Sequence, residues 1–246
     1  MRRALPLLLL LPLLGACAQG PADDPLEALN RHIFEFNDAM DAGLIRPAAE
    51  SYRANVPAPA RAALRNAMRN LNEPVNLANH IFQLRFEDAG VTLLRFAANT
   101  TMGAGGLVEV AEPAGLTHRP NDFGRTLFGL GVEDGPYLVL PLLGPSNLRD
   151  AVGRGVDTVI DPVQVAIGGF PGSRFNGASF GLGIGRAVVG GLDLRERNLE
   201  TLDALRADSL DFYARLRSVV RQRRDAELGR TREADPMLLD DPGEAP

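Results

Sequence analysis

A glycine-rich turn at residues 99–107, with the sequence Asn-Thr-Thr-Met-Gly-Ala-Gly-Gly-Leu, constrains the fold more than any other stretch. Three of four successive positions in it are glycine, which reaches positive φ angles without steric cost. An apolar helical segment precedes it at residues 91–98, and no polar side chain follows between Thr101 and Glu109. Loops that face water usually carry polar residues. The pattern therefore predicts a flexible turn between apolar segments that faces something other than bulk water.

The amino terminus has the pattern of a lipoprotein signal peptide. Arginines at positions 2 and 3 precede an apolar run at residues 4–14, which is shorter than the roughly 20 residues that a membrane-spanning helix needs. The run ends in Leu-Gly-Ala-Cys, and Cys17 is the only cysteine of the chain. This spacing resembles the bacterial lipobox, in which the cysteine thiol receives a diacylglycerol. We expect a signal peptide over residues 1–16 and lipidation of Cys17; an ordinary signal peptide with an incidental cysteine is the alternative.

A lipidated cysteine would anchor the mature chain to a membrane, because two or more acyl chains hold a protein stably on a bilayer. Ala18 follows the cysteine, so the aspartate that retains enteric lipoproteins at the inner membrane is missing. We expect residues 17–23 to form a lipidated tether. The expected location is the outer membrane of a Gram-negative bacterium, with the protein lipid-anchored on the periplasmic side.

The charge balance argues against a nucleic-acid partner. The formal net charge is −5, whereas neutralising phosphates requires a basic face. A single cysteine excludes an internal disulfide. The chain is rich in glycine (26) and proline (18), which indicates a protein with many loops but stays below the roughly 25–30% that is typical of disordered chains.

Helical periodicity dominates the chain from residue 24 onward and predicts an all-α protein. An Asp-Pro-Leu-Glu start at residues 24–27 predicts the first helix. Its apolar residues lie on one stripe that we expect to pack in the core, namely Leu26, Leu29, Ile33, Phe36, Met40 and Leu44. Further helices are predicted at about 60–71, 73–84, 86–98, 122–128, 146–160, 174–190 and 193–228. The polar, acidic residues 229–246 are expected to be a disordered tail.

Prolines and glycines set several predicted boundaries. Pro47 is expected to break the chain, and Pro74 to start a new helix. Residues 135–141 are strand-like, but prolines at both ends make a central strand unfavourable, so we interpret them as extended apolar coil. Ser146 is the predicted cap of the helix that follows. Glycines spaced four apart are expected to let another backbone approach closely, namely Gly177, Gly181 and Gly185.

The motifs that would indicate catalysis lack the surrounding residues and elements that catalysis requires. Residues 177–181 match the Gly-x-Ser-x-Gly motif of esterases and lipases, but no buried strand can precede them and no histidine follows Ser179. The three histidines are scattered, at positions 32, 80 and 118, without the spacing of a metal site. No glycine-rich phosphate loop follows a strand. We expect no enzymatic activity, no cofactor and no metal.

A series of motifs, in order, resembles the MlaA (VacJ) family of outer-membrane lipoproteins. The resemblance runs from residue 24 to about 224 and rests on Asp-Pro-Leu-Glu with Asn30 and Arg31, Val-Pro-Ala-Pro-x-Arg at 56–61, Asn-Leu-x-Glu-Pro at 70–74, Arg-Phe-x-x-Asn-Thr-x-x-Gly-x-Gly-Gly at 95–106, and Phe-Gly-x-Thr-Leu at 123–127. It is densest at 135–150, which contains Gly135, Pro136, Tyr137, Pro141, Arg149 and Asp150. Gln83-Leu84-Arg85 departs from the family, where Leu-Gln-Gly is frequent.

The resemblance implies a single ring-like helical domain over residues 24–228, with short and medium helices and glycine- and proline-rich apolar loops. It implies a protein that lies in the inner leaflet of the outer membrane with a trimeric porin. Such proteins remove mislocalised phospholipids from the outer leaflet through an amphipathic channel and pass them to a periplasmic lipid carrier of the Mla pathway, which maintains lipid asymmetry. We expect Gly103, Gly105 and Gly106 to act as the hinge of a hairpin beside the channel, and Asn99 to belong to the same motif.

A porin-associated structural lipoprotein without transport activity is the alternative, since it would share the lipobox and the helices. The sequence leaves the porin, the lipid head group, the direction of net flux and the residues of the channel open.

Overall fold

A computed structural model describes residues 24–166 and 177–230. The chain divides into two compact units, with the boundary between Glu200 and Thr201. Helices make up most of the described chain, and its strands form one two-stranded hairpin, so the prediction of an all-α protein is confirmed. Cys17, the predicted signal peptide and tether, and most of the predicted tail lie outside the described residues. The predicted limits of the domain, 24–228, stay a prediction.

The first unit contains helices α1 (Glu27–Met40), α2 (Arg46–Asn55), α3 (Ala58–Phe82), α4 (Phe86–Thr101), α5 (Phe123–Gly129), α6 (Leu148–Ile160), α7 (Pro162–Ala166) and α8 (Gly177–Arg197), with strands β1 (Tyr137–Leu140) and β2 (Gly144–Asn147) between α5 and α6. Helix α9 (Leu199–Ala207) crosses the boundary, and the second unit contains α10 (Phe212–Glu227). Asp211 caps α10 by accepting a hydrogen bond from the backbone N–H of Ala214. Among the described residues, no helix has both the length and the apolar character that a membrane span requires.

Pro47 does not break the chain as the sequence suggested. A π-helical turn, Asp41–Ile45, joins α1 to α2 directly, and its backbone bonds span five residues, from Arg46 N–H to the Asp41 carbonyl. A widened turn of this kind accommodates a proline at the second position of the next helix, where the missing N–H costs little. Arg195 of α8 holds the turn in place through two hydrogen bonds to the Asp41 carboxylate, of 2.7 and 2.9 Å.

Pro74 likewise lies inside a helix instead of starting one. Helix α3 runs unbroken for 25 residues, although Pro74 cannot donate a backbone hydrogen bond. Contacts with α4 in the turn before the proline stabilise it: Asn70 donates to the Thr100 hydroxyl at 2.9 Å, and Arg95 donates to Glu73 at 3.0 Å. The prediction of two helices is therefore wrong because tertiary contacts outweigh the local cost of the proline.

The interpretation of residues 135–141 as coil is also wrong, since Tyr137–Leu140 pairs antiparallel with Gly144–Asn147. The flanking prolines lie outside β1, where they remove no bond of the hairpin. Ser146 belongs to β2, and the cap of α6 is Asn147, whose side chain accepts from the Asp150 N–H. The predicted end of this helix at Ile160 is confirmed, and the helix predicted at about 122–128 is α5, which Asp122 caps by accepting from the Arg125 N–H.

Gly181 and Gly185 of α8 make no close contact with another backbone. A Cβ atom at Gly181 or Gly185 would have no atom within 4 Å, so the spacing of four residues serves no backbone approach at these two positions. The structure explains neither glycine.

Candidate functional site

The interior of the first unit is built from polar and charged side chains. The largest side chains that are almost fully buried are Asp24, Asn30, Glu73, Asn76, Asn79, His80, Thr92 and Arg95. Buried polar groups cost free energy unless they are hydrogen-bonded. Glu73, Asn76, Asn79, His80 and Arg95 belong to two hydrogen-bonded networks, Asp24 and Asn30 bond each other, and the Thr92 hydroxyl has no hydrogen-bond partner among the described residues. A polar interior of this size is unusual for a helical protein in water.

The first network, here called the Arg95 cluster, comprises Glu73, Arg95, Asn99, Glu109 and His118. Arg95 donates to Glu73 at 3.0 Å and to Glu109 at 2.8 Å, and it also donates to the carbonyl of Leu116. Glu73 accepts a further bond from Nδ1 of His118 at 3.1 Å. Burial disfavours the charged carboxylate, but hydrogen bonds from His118, Asn76 and Arg95 outweigh burial and keep the pKa of Glu73 below its usual value.

Asn99 connects this cluster to the glycine-rich turn. Its Nδ2 donates to Glu109 at 2.9 Å, and its Oδ1 accepts the backbone N–H groups of Val110 and Ala111. The Asn99 carbonyl also accepts the N–H of Gly106 at 2.8 Å. One buried asparagine thus fixes both the start and the end of the turn, which accounts for its place in the family motif.

The three glycines of the predicted hinge have different surroundings. A Cβ at Gly103 would lie 2.2 Å from the Val108 carbonyl oxygen, and a Cβ at Gly106 would lie 2.6 Å from the side chain of Asn70 on α3. Gly105 and Gly106 have φ angles of +73° and +92°. Gly105 has open space around it, so only its backbone conformation requires glycine. Their role as a hinge stays a prediction.

The second network joins α3 to the loop before α5 and to α6. Nε2 of His80 donates to the Arg119 carbonyl at 3.1 Å, and Nδ1 accepts from the Asn121 side-chain amide at 3.0 Å. Burial of the ring lowers the pKa of His80 below 6.5. Asn79 donates to Asp157 at 2.8 Å and accepts from the Thr126 hydroxyl at 2.8 Å.

Two asparagines of α1 hold the hairpin. Asn30 donates to the Tyr137 carbonyl at 3.0 Å and accepts from the Val139 N–H at 2.9 Å. About two turns further along the same face of α1, Asn37 donates to the Leu140 carbonyl at 3.0 Å and accepts from the Leu142 N–H at 2.7 Å. The two side-chain amides therefore pair with the free edge of β1 as a neighbouring strand would.

The remaining motif residues lie at the base of this hairpin. Arg149 is buried, donates to Asp150 at 3.0 and 3.1 Å and to Asp134, and lies over the Phe128 ring. Gly135 and Pro136 precede β1, and the Pro136 carbonyl accepts the N–H of Leu148 at 3.1 Å. Pro141 begins the exposed tip of the hairpin. The structure thus brings the motif at 135–150 together, in a region separate from the Arg95 cluster.

The surface of the first unit carries large apolar side chains. The predicted core stripe of α1 is one example: Leu29, Phe36 and Leu44 are about half exposed, and only Asn30 of this helix is buried. Other exposed side chains include Ile81, Phe82, Leu84, Phe86, Leu93, Leu94, Met102, Leu107, Val108, Leu130, Leu142 and Leu143. The prediction that the α1 stripe packs in the core is therefore wrong, because the polar face of the helix is the buried one. Apolar patches of this extent mark contact with a membrane or a partner.

Two cavities lie between α3 and α8, on either side of Asn72. The first has a volume of about 220 Å³ and is lined by Leu64, Arg65, Met68, Arg69, Asn72, His118, Val189, Gly190, Asp193 and Arg197. The second has a volume of about 360 Å³ and is lined by Asn72, Val75, Asn121, Asp122, Asp157, Thr158, Asp161, Gly183 and Arg186. We call them the Arg69 cavity and the Asp157 cavity. Each combines apolar and charged groups, as a site for an amphipathic ligand would.

Comparison with known families and proteins agrees with this architecture. The family model described as MlaA lipoprotein matches residues 22–227. The chain belongs to the MlaA lipoprotein family. It is 34% identical over 205 residues to an uncharacterized protein of Rickettsia bellii, and the aligned region covers 83% of this chain and 76% of the relative. It is also 34% identical to the Escherichia coli K12 intermembrane phospholipid transport system lipoprotein MlaA, over 87% of this chain and 83% of the relative.

A solved structure of the family shares the fold. That structure, presented as the structural basis for maintenance of bacterial outer membrane lipid asymmetry, superposes with a TM-score of 0.72 at 35% identity and covers 83% of this chain and 98% of its own. The resemblance found from the motifs is thereby confirmed.

Sequence reasoning missed several residues that the structure places at the site. Asn37, Asn79 and Arg69 were not singled out, and His80 and His118 were only noted as scattered histidines. One signal could have found part of the set: Asn70, Glu73, Asn76 and His80 recur at helical spacing along α3. Such a stripe is usually read as a solvated face, whereas here it faces inward.

Proposed function

We propose that this protein transports phospholipids between membranes and so maintains the lipid asymmetry of the outer membrane. The observation that carries the proposal is the reversed polarity of the first unit, in which an apolar surface surrounds a charged and amide-rich interior with cavities along α3. A phospholipid has one apolar and one polar part, so it can leave a bilayer at low cost only along a path that offers both environments. Membership of the family and the phospholipid-transport role of the Escherichia coli relative, as its name states it, support the proposal.

We further propose where the protein lies in the cell and which route the phospholipid takes. Lipidation at Cys17 anchors the protein on the periplasmic side of the outer membrane, and the exposed apolar side chains contact the inner leaflet. Mislocalised phospholipids leave the outer leaflet through an amphipathic channel beside a trimeric porin, and a periplasmic carrier of the Mla pathway receives them. The protein acts as a transporter and performs no covalent chemistry on the lipid.

Deleting the gene tests this proposal in the native organism. Phospholipid accessible to an added phospholipase on intact cells is expected to rise in the deletion strain and to return to normal with the wild-type gene. Complementation with Cys17→Ala is expected to fail, because the unanchored protein leaves the membrane. Normal surface phospholipid in the deletion strain would contradict the proposal.

The alternative, a structural lipoprotein, predicts a different result in purification. A transporter isolated in mild detergent is expected to retain phospholipid in its cavities, whereas a structural protein is not. Protein that is purified without bound phospholipid would contradict transport, and a loss of porin trimers in the deletion strain would then favour the structural alternative.

The hinge proposal for the glycine-rich turn has its own test. Gly105→Val adds no clash but restricts a backbone at φ +73°, so we expect it to raise surface phospholipid in intact cells. Gly90→Val on α4, where a Cβ also meets open space, is the matched control. Equal surface phospholipid in the Gly105→Val and wild-type strains would show that the turn does not need to move.

A further inference from the structure

We propose that the Arg69 cavity is a subsite for the phosphate group of a phospholipid head, with Arg69 as its principal ligand. This inference rests on the proposed function and specifies a place and a chemistry within it. Three arginines and one histidine line the cavity, while its only acidic residue is Asp193. In a chain of net charge −5, this is a local excess of positive charge in a partly enclosed space.

Helix geometry directs these side chains into one volume. Arg65 and Arg69 are four residues apart on α3, and Asp193 and Arg197 are four residues apart on α8. Residues at this spacing lie on the same face of a helix, one turn apart. The two faces oppose each other, since Arg65 donates to Asp193 at 3.1 Å through two nitrogens.

The pairing of charges leaves one guanidinium available. Asp193 accepts from Arg65 and also from Arg197, at 3.0 Å, so a single carboxylate serves two arginines. Arg69 makes no hydrogen bond or ion pair with any other described residue. A planar guanidinium with several free donors suits the oxygens of a phosphate, to which arginine binds in bidentate fashion.

The rest of the lining fits a lipid better than a free anion. Leu64, Met68 and Val189 supply apolar surface beside the arginines, and these side chains can contact the glycerol and the first acyl carbons. The Asp157 cavity has the opposite charge, with three aspartates and one arginine, and would repel a phosphate. The chemistry of a phosphate head therefore favours the Arg69 cavity of the two.

Binding of short-chain lipids to the full-length purified protein in mild detergent tests the subsite. The probes are dioctanoyl phosphatidylglycerol, dioctanoylglycerol, which lacks the phosphate, and inorganic phosphate. Removing a hydrogen bond to a charged group weakens binding by about tenfold to a hundredfold, so Arg69→Gln should raise the Kd of phosphatidylglycerol by that factor and leave that of dioctanoylglycerol unchanged. Arg69→Lys, which keeps the charge without the planar fork, should give an intermediate Kd.

Arg154→Gln is the matched control, because Arg154 is an exposed arginine of α6 that lines neither cavity. The proposal is overturned if Arg69→Gln and Arg154→Gln bind phosphatidylglycerol equally well. It is also overturned as a lipid site if inorganic phosphate alone binds in an Arg69-dependent manner as tightly as phosphatidylglycerol does. Failure of the proposed function would appear separately, as normal surface phospholipid in the deletion strain, whatever Arg69→Gln binds.

Discussion

The interior and the surface of the first unit have exchanged the roles that they have in most helical proteins. The interior contains charged and amide side chains held by hydrogen bonds, and the surface carries leucine, phenylalanine and methionine in large number. Adjacent residues of α4 show the contrast: Arg95 is 1% exposed, whereas Leu94 is 57% exposed. The comparison teaches that this fold depends on polar contacts for its internal order and on an apolar environment for its exterior.

The largest expected effect comes from exchanging the two kinds of residue on α4. Arg95→Met should lower the free energy of unfolding by about 3–5 kcal/mol, because it leaves the buried Glu73 and the half-buried Glu109 without their cation. Leu94→Gln, one position away, should lower it by only about 1 kcal/mol, because it loses the apolar contact of a half-exposed side chain with the micelle and leaves no buried charge. Urea unfolding in detergent micelles, followed by circular dichroism, measures both. Similar losses for the two variants would refute the contrast.

A smaller effect is expected at the clamp between α1 and the hairpin. Asn30→Ala removes a buried amide that bonds two backbone groups of β1, and leaving such groups unsatisfied costs about 2 kcal/mol. Asn55→Ala, on the exposed end of α2, loses only bonds to Ser51 on its own helix and should have little effect. The same unfolding measurement distinguishes the two variants. An unaltered stability of Asn30→Ala would mean that the hairpin does not need α1.

The smallest expected effect is on the pH dependence of the free energy of unfolding. Because the pKa of buried His80 lies below that of an unfolded histidine, the unfolded chain binds the proton more readily. The stabilisation that neutral His80 gives to the folded state is therefore complete above about pH 6.5. It is lost as the pH falls from there toward the lower pKa that His80 has in the folded protein. Stability between pH 7.5 and pH 5.5 should fall for the wild type and less for His80→Gln. His32→Gln alters an exposed ring and should behave as the wild type; equal slopes in all three proteins would contradict this role of His80.

Local sequence was sufficient for elements whose signals are local. Helix α4, the Asp122 cap of α5 and the end of α6 follow from nearby residues. The hairpin was missed because its stabilising partners, Asn30 and Asn37, lie more than 100 residues away along the chain. The continuity of α3 through Pro74 was missed for the same reason, since it depends on contacts with α4.

The site itself could be located only in part. The resemblance pointed to Asn99, Arg149 and Asp150, all of which are buried and hydrogen-bonded. The direction of each helix face could not be predicted, because periodicity gives a polar and an apolar face but does not say which one faces the solvent. The assumption that apolar faces point inward holds in water and fails for Leu29, Phe36 and Leu44.

The contact between the apolar surface and lipid is the central claim, and one fluorescence measurement tests it directly. The chain contains no tryptophan, so Phe86→Trp introduces a single probe at a side chain that is 67% exposed. Glu112→Trp places the same probe at an exposed polar position. In vesicles of phosphatidylethanolamine and phosphatidylglycerol with brominated acyl chains, the account predicts strong quenching at position 86 and weak quenching at position 112. Equal quenching at the two positions, or none at position 86, would contradict it.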